Sequence, residues 1–282
     1  MMKALQIKCD SLSKWSAVGL AFFIPLSTLC TNVVLLVLML SWFLGGDLKI
    51  KIDIILRHPV SRIILLLYGL MIIGAFYAPV PTIETIDFLQ KMSKLLYIPF
   101  LLPLMREEKW RHLTLHAFIL AMLLTLVMGT IQQVYVNFGF PALSRHWGAC
   151  FFKDRIFTSL MMAMASFMMA HYALNESNIK SKLGWFSLVA GSIYFIFFLC
   201  DGRSGYLIFG LLWLVFFLQR FKKKEVLKSL VAFGFLLILA SLYSGAFQAR
   251  FLLFFLDLSE FNLGEEGTSF GQRFQFVQES FE

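Results

Sequence analysis

The stretch CDGRSG (200–205) places Asp201 and Arg203 between two strongly apolar runs, 195–199 and 206–218. A charge near hydrocarbon costs at least ~2.5 kcal/mol. Two roles fit Arg203. It can snorkel toward Asp201 or a headgroup phosphate, or it can bind an anion. Gly202 and Gly205 favour the anion, because glycine lets a ligand approach the backbone and leaves N–H groups open at a helix start. Further basic residues stand in NFGFPALSRHWGACFFKDR (137–155), which carries Arg145, His146 and Arg155. Arg273 stands in SFGQRFQFVQESFE (269–282), where Phe274, Val277 and Phe281 have helical spacing. Taken singly, each is equally an ordinary loop or surface charge. Taken together they are guanidiniums gathered on one side, and a guanidinium fork binds phosphate oxygens bidentately. The chemistry this suggests is recognition of a phosphate or diphosphate.

Other machinery does not emerge from the residues. The sequence has no P-loop, dinucleotide-binding glycine fingerprint, HExxH or Asp-x-Asp pair, and it implies no cofactor and no metal. Cys9, Cys30, Cys150 and Cys200 have no metal-ligand or redox spacing. Three of them fall near one expected membrane face, which leaves room for one disulfide. Of the five histidines only His146 falls on the arginine side, so a general base there would be His146, a carboxylate such as Glu84, or a group this chain lacks.

The elements that must hold these residues are membrane helices. Hydrophobic residues make up 59% of the 282-residue chain and charged residues 15%, with a mean hydropathy of +0.76. That composition excludes a water-soluble domain and fits an all-α polytopic membrane protein. Apolar segments fall at 15–29, 33–45, 62–78, 93–105, 113–136, 156–174, 185–200, 206–218 and 229–245, giving about nine transmembrane helices. The first two are short, but basic residues flank them on both sides. They therefore form a hairpin turning near STLCTN (27–32) rather than one bent span. Alternating the loops from there puts 17 of the 25 Lys and Arg on one side and 8 on the other. The richer side is cytoplasmic and includes the N-terminus. The net charge of +8 then marks topology and membrane lipid, with no nucleic-acid partner. The stretch 78–96 spaces Ile83, Ile86, Leu89 and Met92 as an amphipathic helix lying on the membrane. The domain reading is a transmembrane helical domain over 1–245, with 246–282 opening a large periplasmic loop.

Three places carry a family likeness: PLSTLCTNVVLLVLML (25–40), GRSGYLIFGL (202–211) and GQRFQFVQESFE (271–282). In their order and topological side they resemble the O-antigen ligase and polymerase superfamily of bacterial envelope glycosyltransferases. The resemblance implies a membrane-embedded, glycosyltransferase-like helical fold in the inner membrane. It implies transfer of a polysaccharide from undecaprenyl diphosphate to lipid A–core at the periplasmic face. Arg203 and Arg273 then match the family's functional arginines, and Arg145 corresponds more loosely. His146, Arg155 and Asp201 complete the expected substrate-binding set. The family's histidine would lie beyond residue 282, so the chain is expected to be truncated in the periplasmic loop. Polymerase activity in the same family is the near alternative. A lipid-sugar flippase or transporter is the alternative of a different class.

Overall fold

The computed structural model describes residues 2–77, 82–141, 143, 150–200, 202–220, 231 and 234. Regular structure among them is helical throughout, with no strand. The chain divides into two compact units, 1–120 and 121–282.

In the first unit, α1 (Met2–Phe23) and α2 (Thr28–Leu44) form an antiparallel hairpin. Gly19 lies against Val34, while Gly45 and Gly46 at the far end reach Asp10 and Gln6. The expected hairpin is therefore present, but its turn is earlier. It occupies residues 24–27, and Ser27 caps α2 by accepting a hydrogen bond from Cys30 N–H at 3.4 Å. Ser27 suits an N-cap because its hydroxyl satisfies an otherwise orphaned helix donor. At its other end α2 stops at Gly45. Gly46 (φ 72°) and Asp47 (φ 53°) then take the left-handed conformation, and α3 (Leu48–Arg57) leaves at 112° to α2. Ala17, Leu20, Leu38, Trp42, Ile55 and Leu104 form the core of this unit.

From Pro59 the chain forms α4 (Pro59–Tyr77), α5 (Thr82–Met92), a 3₁₀ turn at Ser93–Leu96, and α6 (Tyr97–Leu101). On α4, Ile63, Leu66, Leu70, Ile73 and Phe76 are exposed and spaced three or four apart. Such a continuous apolar stripe is what lipid contact calls for and water does not. Within the stretch 78–96, where an amphipathic helix is expected, α5 occupies Thr82–Met92, with Ile83 and Ile86 exposed, and 78–81 lie outside the described residues. The span expected over 93–105 does not form as one helix. Pro99 and Pro103 each lack a backbone donor, and the segment breaks into the 3₁₀ turn, the five residues of α6 and a turn.

Helix α7 (Glu108–Asn137) gives its first turns to this unit and the rest to the second. There α8 (Arg155–Asn175), α9 (Ile179–Tyr194) and α10 (Arg203–Arg220) pack around α8. The reason is a stripe of small residues. Ser159, Ala163, Ser166, Ala170 and Ala173 recur at helical spacing on α8, and all are fully or almost fully buried. Small side chains let helix backbones close in where hydrophobic exclusion from water is unavailable.

Among the described residues four helices are long and apolar enough to cross a membrane: α4, α7, α8, and α9 with its continuation to Leu199. The bent pair α2–α3 makes a fifth if it counts as one span. Set against nine expected spans, α10 is apolar but shorter. The segment 229–245 lies outside the described residues apart from 231 and 234, and so does the expected loop 246–282.

Candidate functional site at the start of α8 and α10

The site is built where three helix ends meet. Asp154 caps α8, its Oδ1 accepting from Phe157 N–H at 2.7 Å, so the sequence KDRIF starts a helix at Arg155. Helix α9 does not end as an α-helix. It widens into a π turn at Phe195–Leu199, with Phe195, Ile196 and Phe197 buried. Such turns re-aim the residues that follow and are frequent at functional sites. Here the turn hands the chain to Cys200, which is extended and whose N–H donates to Phe195 O at 2.9 Å. Three residues later, at Arg203, α10 begins.

Gly202 and Gly205 have a role that the sequence alone does not suggest. A Cβ at Gly202 would lie 2.1 Å from Ser159 Oγ and 2.9 Å from the Arg155 carbonyl oxygen. One at Gly205 would lie 2.4 Å from both Cβ and Oγ of Ser159. The glycines were expected to admit a ligand, but the space beside them is taken by α8. They are glycine because no larger residue lets α10 sit this close. The same closeness makes α8 and α10 start side by side. At their other ends Arg220 donates to Asn175 Oδ1, so the two helices run parallel and both N-termini face one end. Tyr206 reinforces the junction: its ring stacks on Phe197 at 5.3 Å and its hydroxyl donates to Cys200 O at 3.4 Å.

The arginines fall accordingly. Arg155 is the first residue of α8 and is exposed, with no ion pair to it among the described residues. Arg203 is the first residue of α10, and the description there extends to its backbone only. The fold thus brings the backbones of Arg155 and Arg203 to neighbouring helix starts. Arg145, His146, Asp201 and Arg273 lie outside the described residues. The α8 start already has the Asp154 carboxylate as its cap, whereas a helix start without one presents partial positive charge and orphaned N–H groups. The α10 start has no acidic residue in its first turn, so it can receive an oxyanion. Sequence reasoning missed Ser159, and it left room for one disulfide without saying which cysteines meet; Cys150 and Cys200 do, with sulfurs 3.2 Å apart. The stripe of small residues on α8 was the signal available for the first.

A second polar cluster occupies the first unit. Lys14 Nζ bridges Asp10 at 3.1 Å and Glu107 at 2.6 Å, and Lys51 Nζ lies 3.7 Å from Asp10. Lys51 is 7% exposed. Its ammonium donates to Trp42 O at 3.1 Å, near the C-terminal end of α2 where carbonyls lack helical partners. With Asp47, Arg106 and Glu107 these residues line an open cleft of about 450 Å³. Glu107 is held below the usual carboxylate range by the hydrogen bond and charge of Lys14. Burial pulls Lys14 down, but its hydrogen bonds to Glu107 and Asp10, with their charges, raise it overall. Among the described residues no three His, Cys, Asp or Glu side chains converge as a metal site.

The fold and site define a helical protein with several helices apolar enough to cross a membrane. No family model matches the chain, and no curated protein or solved structure matches it.

Proposed function

We propose that the protein transfers a lipid-linked polysaccharide at the outer face of a bacterial inner membrane. The donor is a polysaccharide on undecaprenyl diphosphate and the acceptor is lipid A–core. The observation that carries the reading is the side-by-side start of α8 and α10, with Arg155 and Arg203 as their first residues. As the glycosidic bond to the donor breaks, negative charge collects on the diphosphate. Guanidiniums and helix N-termini fixed beforehand stabilise that charge without reorganising. Arg203 and Arg273 are assigned to the diphosphate. Arg145, His146, Arg155 and Asp201 are assigned to the surrounding substrate. The residues at the opposite end of α8–α10 support this polarity. Lys180, Lys182 and Arg220 stand there, followed in sequence by Lys222, Lys223, Lys224 and Lys228. Such a basic end stays cytoplasmic.

One observation favours a second reading, a lipid-sugar flippase or transporter. Broken helices with charges at the break are common in transporters, and α2–α3 is a broken pair with Lys51 buried beside the break. Against it, the charges there pair among themselves.

A lipopolysaccharide gel of a deletion strain separates the readings. Transfer to core predicts loss of all polymer from the core, with lipid-linked polymer accumulating on the outer face. A single repeat on the core means a polymerase of the same kind. Lipid-linked polymer trapped on the cytoplasmic face means a flippase.

A further inference from the structure

Cys150 and Cys200 are 50 residues apart in sequence, and their sulfurs meet at 3.2 Å. Both side chains are buried, each 1% exposed. Cys200 is held by its N–H bond to Phe195 O at the π turn, and its Sγ lies 3.4 Å from the Arg155 carbonyl oxygen. The sulfurs of a disulfide are ~2.05 Å apart, so these are two thiols in contact that a small side-chain movement would join. The remaining cysteines are placed differently. Cys9 lies in α1 and Cys30 in α2, both partly exposed and neither bonded to another cysteine.

The end of the helices decides the compartment. Lys180, Lys182 and Arg220 lie at the end of this unit opposite the cysteines and are followed in sequence by Lys222, Lys223, Lys224 and Lys228, against Lys153, Arg155 and Arg203 at the cysteine end. The more basic end remains cytoplasmic, and on that polarity Cys150 and Cys200 face the exported side, where thiol pairs oxidise and stay oxidised.

We infer that Cys150 and Cys200 form a disulfide that staples the chain ahead of α8 to the residue ahead of the α10 start. One cysteine thiolate attacks the disulfide of an exported thiol–disulfide oxidoreductase, giving a mixed disulfide and releasing one oxidoreductase thiolate. The second cysteine thiolate then displaces the other oxidoreductase sulfur. The chain gives up two electrons and two protons, and the oxidoreductase leaves as a dithiol. Exchange takes place during folding, before the pair is buried. The bond fixes Cys200 and with it the turn through Gly202, so it sets where α10 begins. The inference goes beyond the transfer reading and shares with it only the polarity of the helices.

Thiol counting tests it. The full chain is expressed in bacterial membranes, quenched in acid, denatured and treated with a maleimide mass tag, with or without prior reduction. Two of the four cysteines are expected to take tag without reductant, and all four after it. A Cys9→Ser/Cys30→Ser variant is expected to take no tag until reduced, then two. Cys150→Ser and Cys200→Ser should each release the partner thiol to tagging without reductant. Four tags on the unreduced wild-type chain would overturn the proposal, as would tagging of the unreduced double variant. Because the wild-type count needs no activity and no variant that folds, its outcome is independent of whether the transfer reading holds.

Discussion

Two regions of this chain use glycine pairs beside charged residues, and they use them differently. At Gly46 the need is conformational, while Gly45 (φ −69°) is closely packed, a Cβ there lying 3.1 Å from Lys51 Nζ and Ser41 O. Gly46 and Asp47 have positive φ, and the chain turns by 112° between α2 and α3. The charges around that turn pair with one another, Lys14 with Asp10 and Glu107, and Lys51 with Asp10. At Gly202 and Gly205 the need is space. Neither has positive φ, and each faces Ser159 at a distance no Cβ tolerates. The charge on Arg155 beside them is not spent on an ion pair among the described residues. Paired charges of the first kind hold an architecture together. Charges of the second kind, set at helix starts, are available to a ligand.

The largest effects should come from closing the space between α8 and α10. Gly205→Ala puts a methyl 2.4 Å from Ser159 and is expected to destabilise the protein by ~3 kcal/mol or more, at or above the upper range for overpacking. Thermal unfolding in detergent measures this. Ser159→Gly should rescue Gly205→Ala, because it removes both clashing atoms. It should not rescue Gly202→Ala, whose methyl would also meet the Arg155 carbonyl oxygen at 2.9 Å. Equal rescue of both would mean that the backbones are not in contact.

Arg203→Ala is expected next, lowering polymer transfer by ~10²-fold or more while leaving membrane insertion and unfolding temperature unchanged. Lysine at 203 should restore activity only in part, since a point charge cannot make a bidentate contact. Arg155→Ala should cost roughly tenfold. Full transfer by Arg203→Ala would reduce that residue to a membrane anchor and erase the contrast between the two regions.

On the other side of the contrast, Lys51→Met should lower stability without changing transfer per folded molecule. It removes the donor to Trp42 O and the second of two cations beside Asp10, a loss of about 1–3 kcal/mol. If Lys51→Met abolished transfer with stability intact, the paired cluster would be functional and the transporter reading would gain.

The smallest effect concerns pH. The carboxyl of Glu107 is depressed by Lys14, so its contribution to stability is complete above the unfolded value near 4.5. It is lost as pH falls through the lower folded value. Lys14 is raised above 10.5, so its share is complete below that pH and lost as pH rises through the folded value. Glu107→Gln should therefore flatten the acid side of a plot of unfolding temperature against pH, with little change near neutrality. The effect is small because Glu107 is exposed and screened.

Composition and periodicity determined much by themselves. The long apolar runs required helices, because hydrocarbon leaves no other partner for backbone groups. The alternation of Ile83, Ile86 and Leu89 with polar residues required the amphipathic α5, and the basic clusters required a polarity. The GRSG stretch was legible as special, since a charge beside apolar runs is costly. Tertiary structure decided what those residues do. Pro99 and Pro103 turned one expected span into a short broken segment. Gly202 and Gly205 became the contact with Ser159, because that role depends on a residue more than 40 positions away. Cys150 and Cys200 came together for the same reason: their meeting requires α8 and α9 to fold back on each other and the π turn to aim Cys200. Local pattern fixes which faces are apolar and where helices can start. Which helix starts lie side by side depends on how closely two backbones can approach, and small side chains on both helices set that distance.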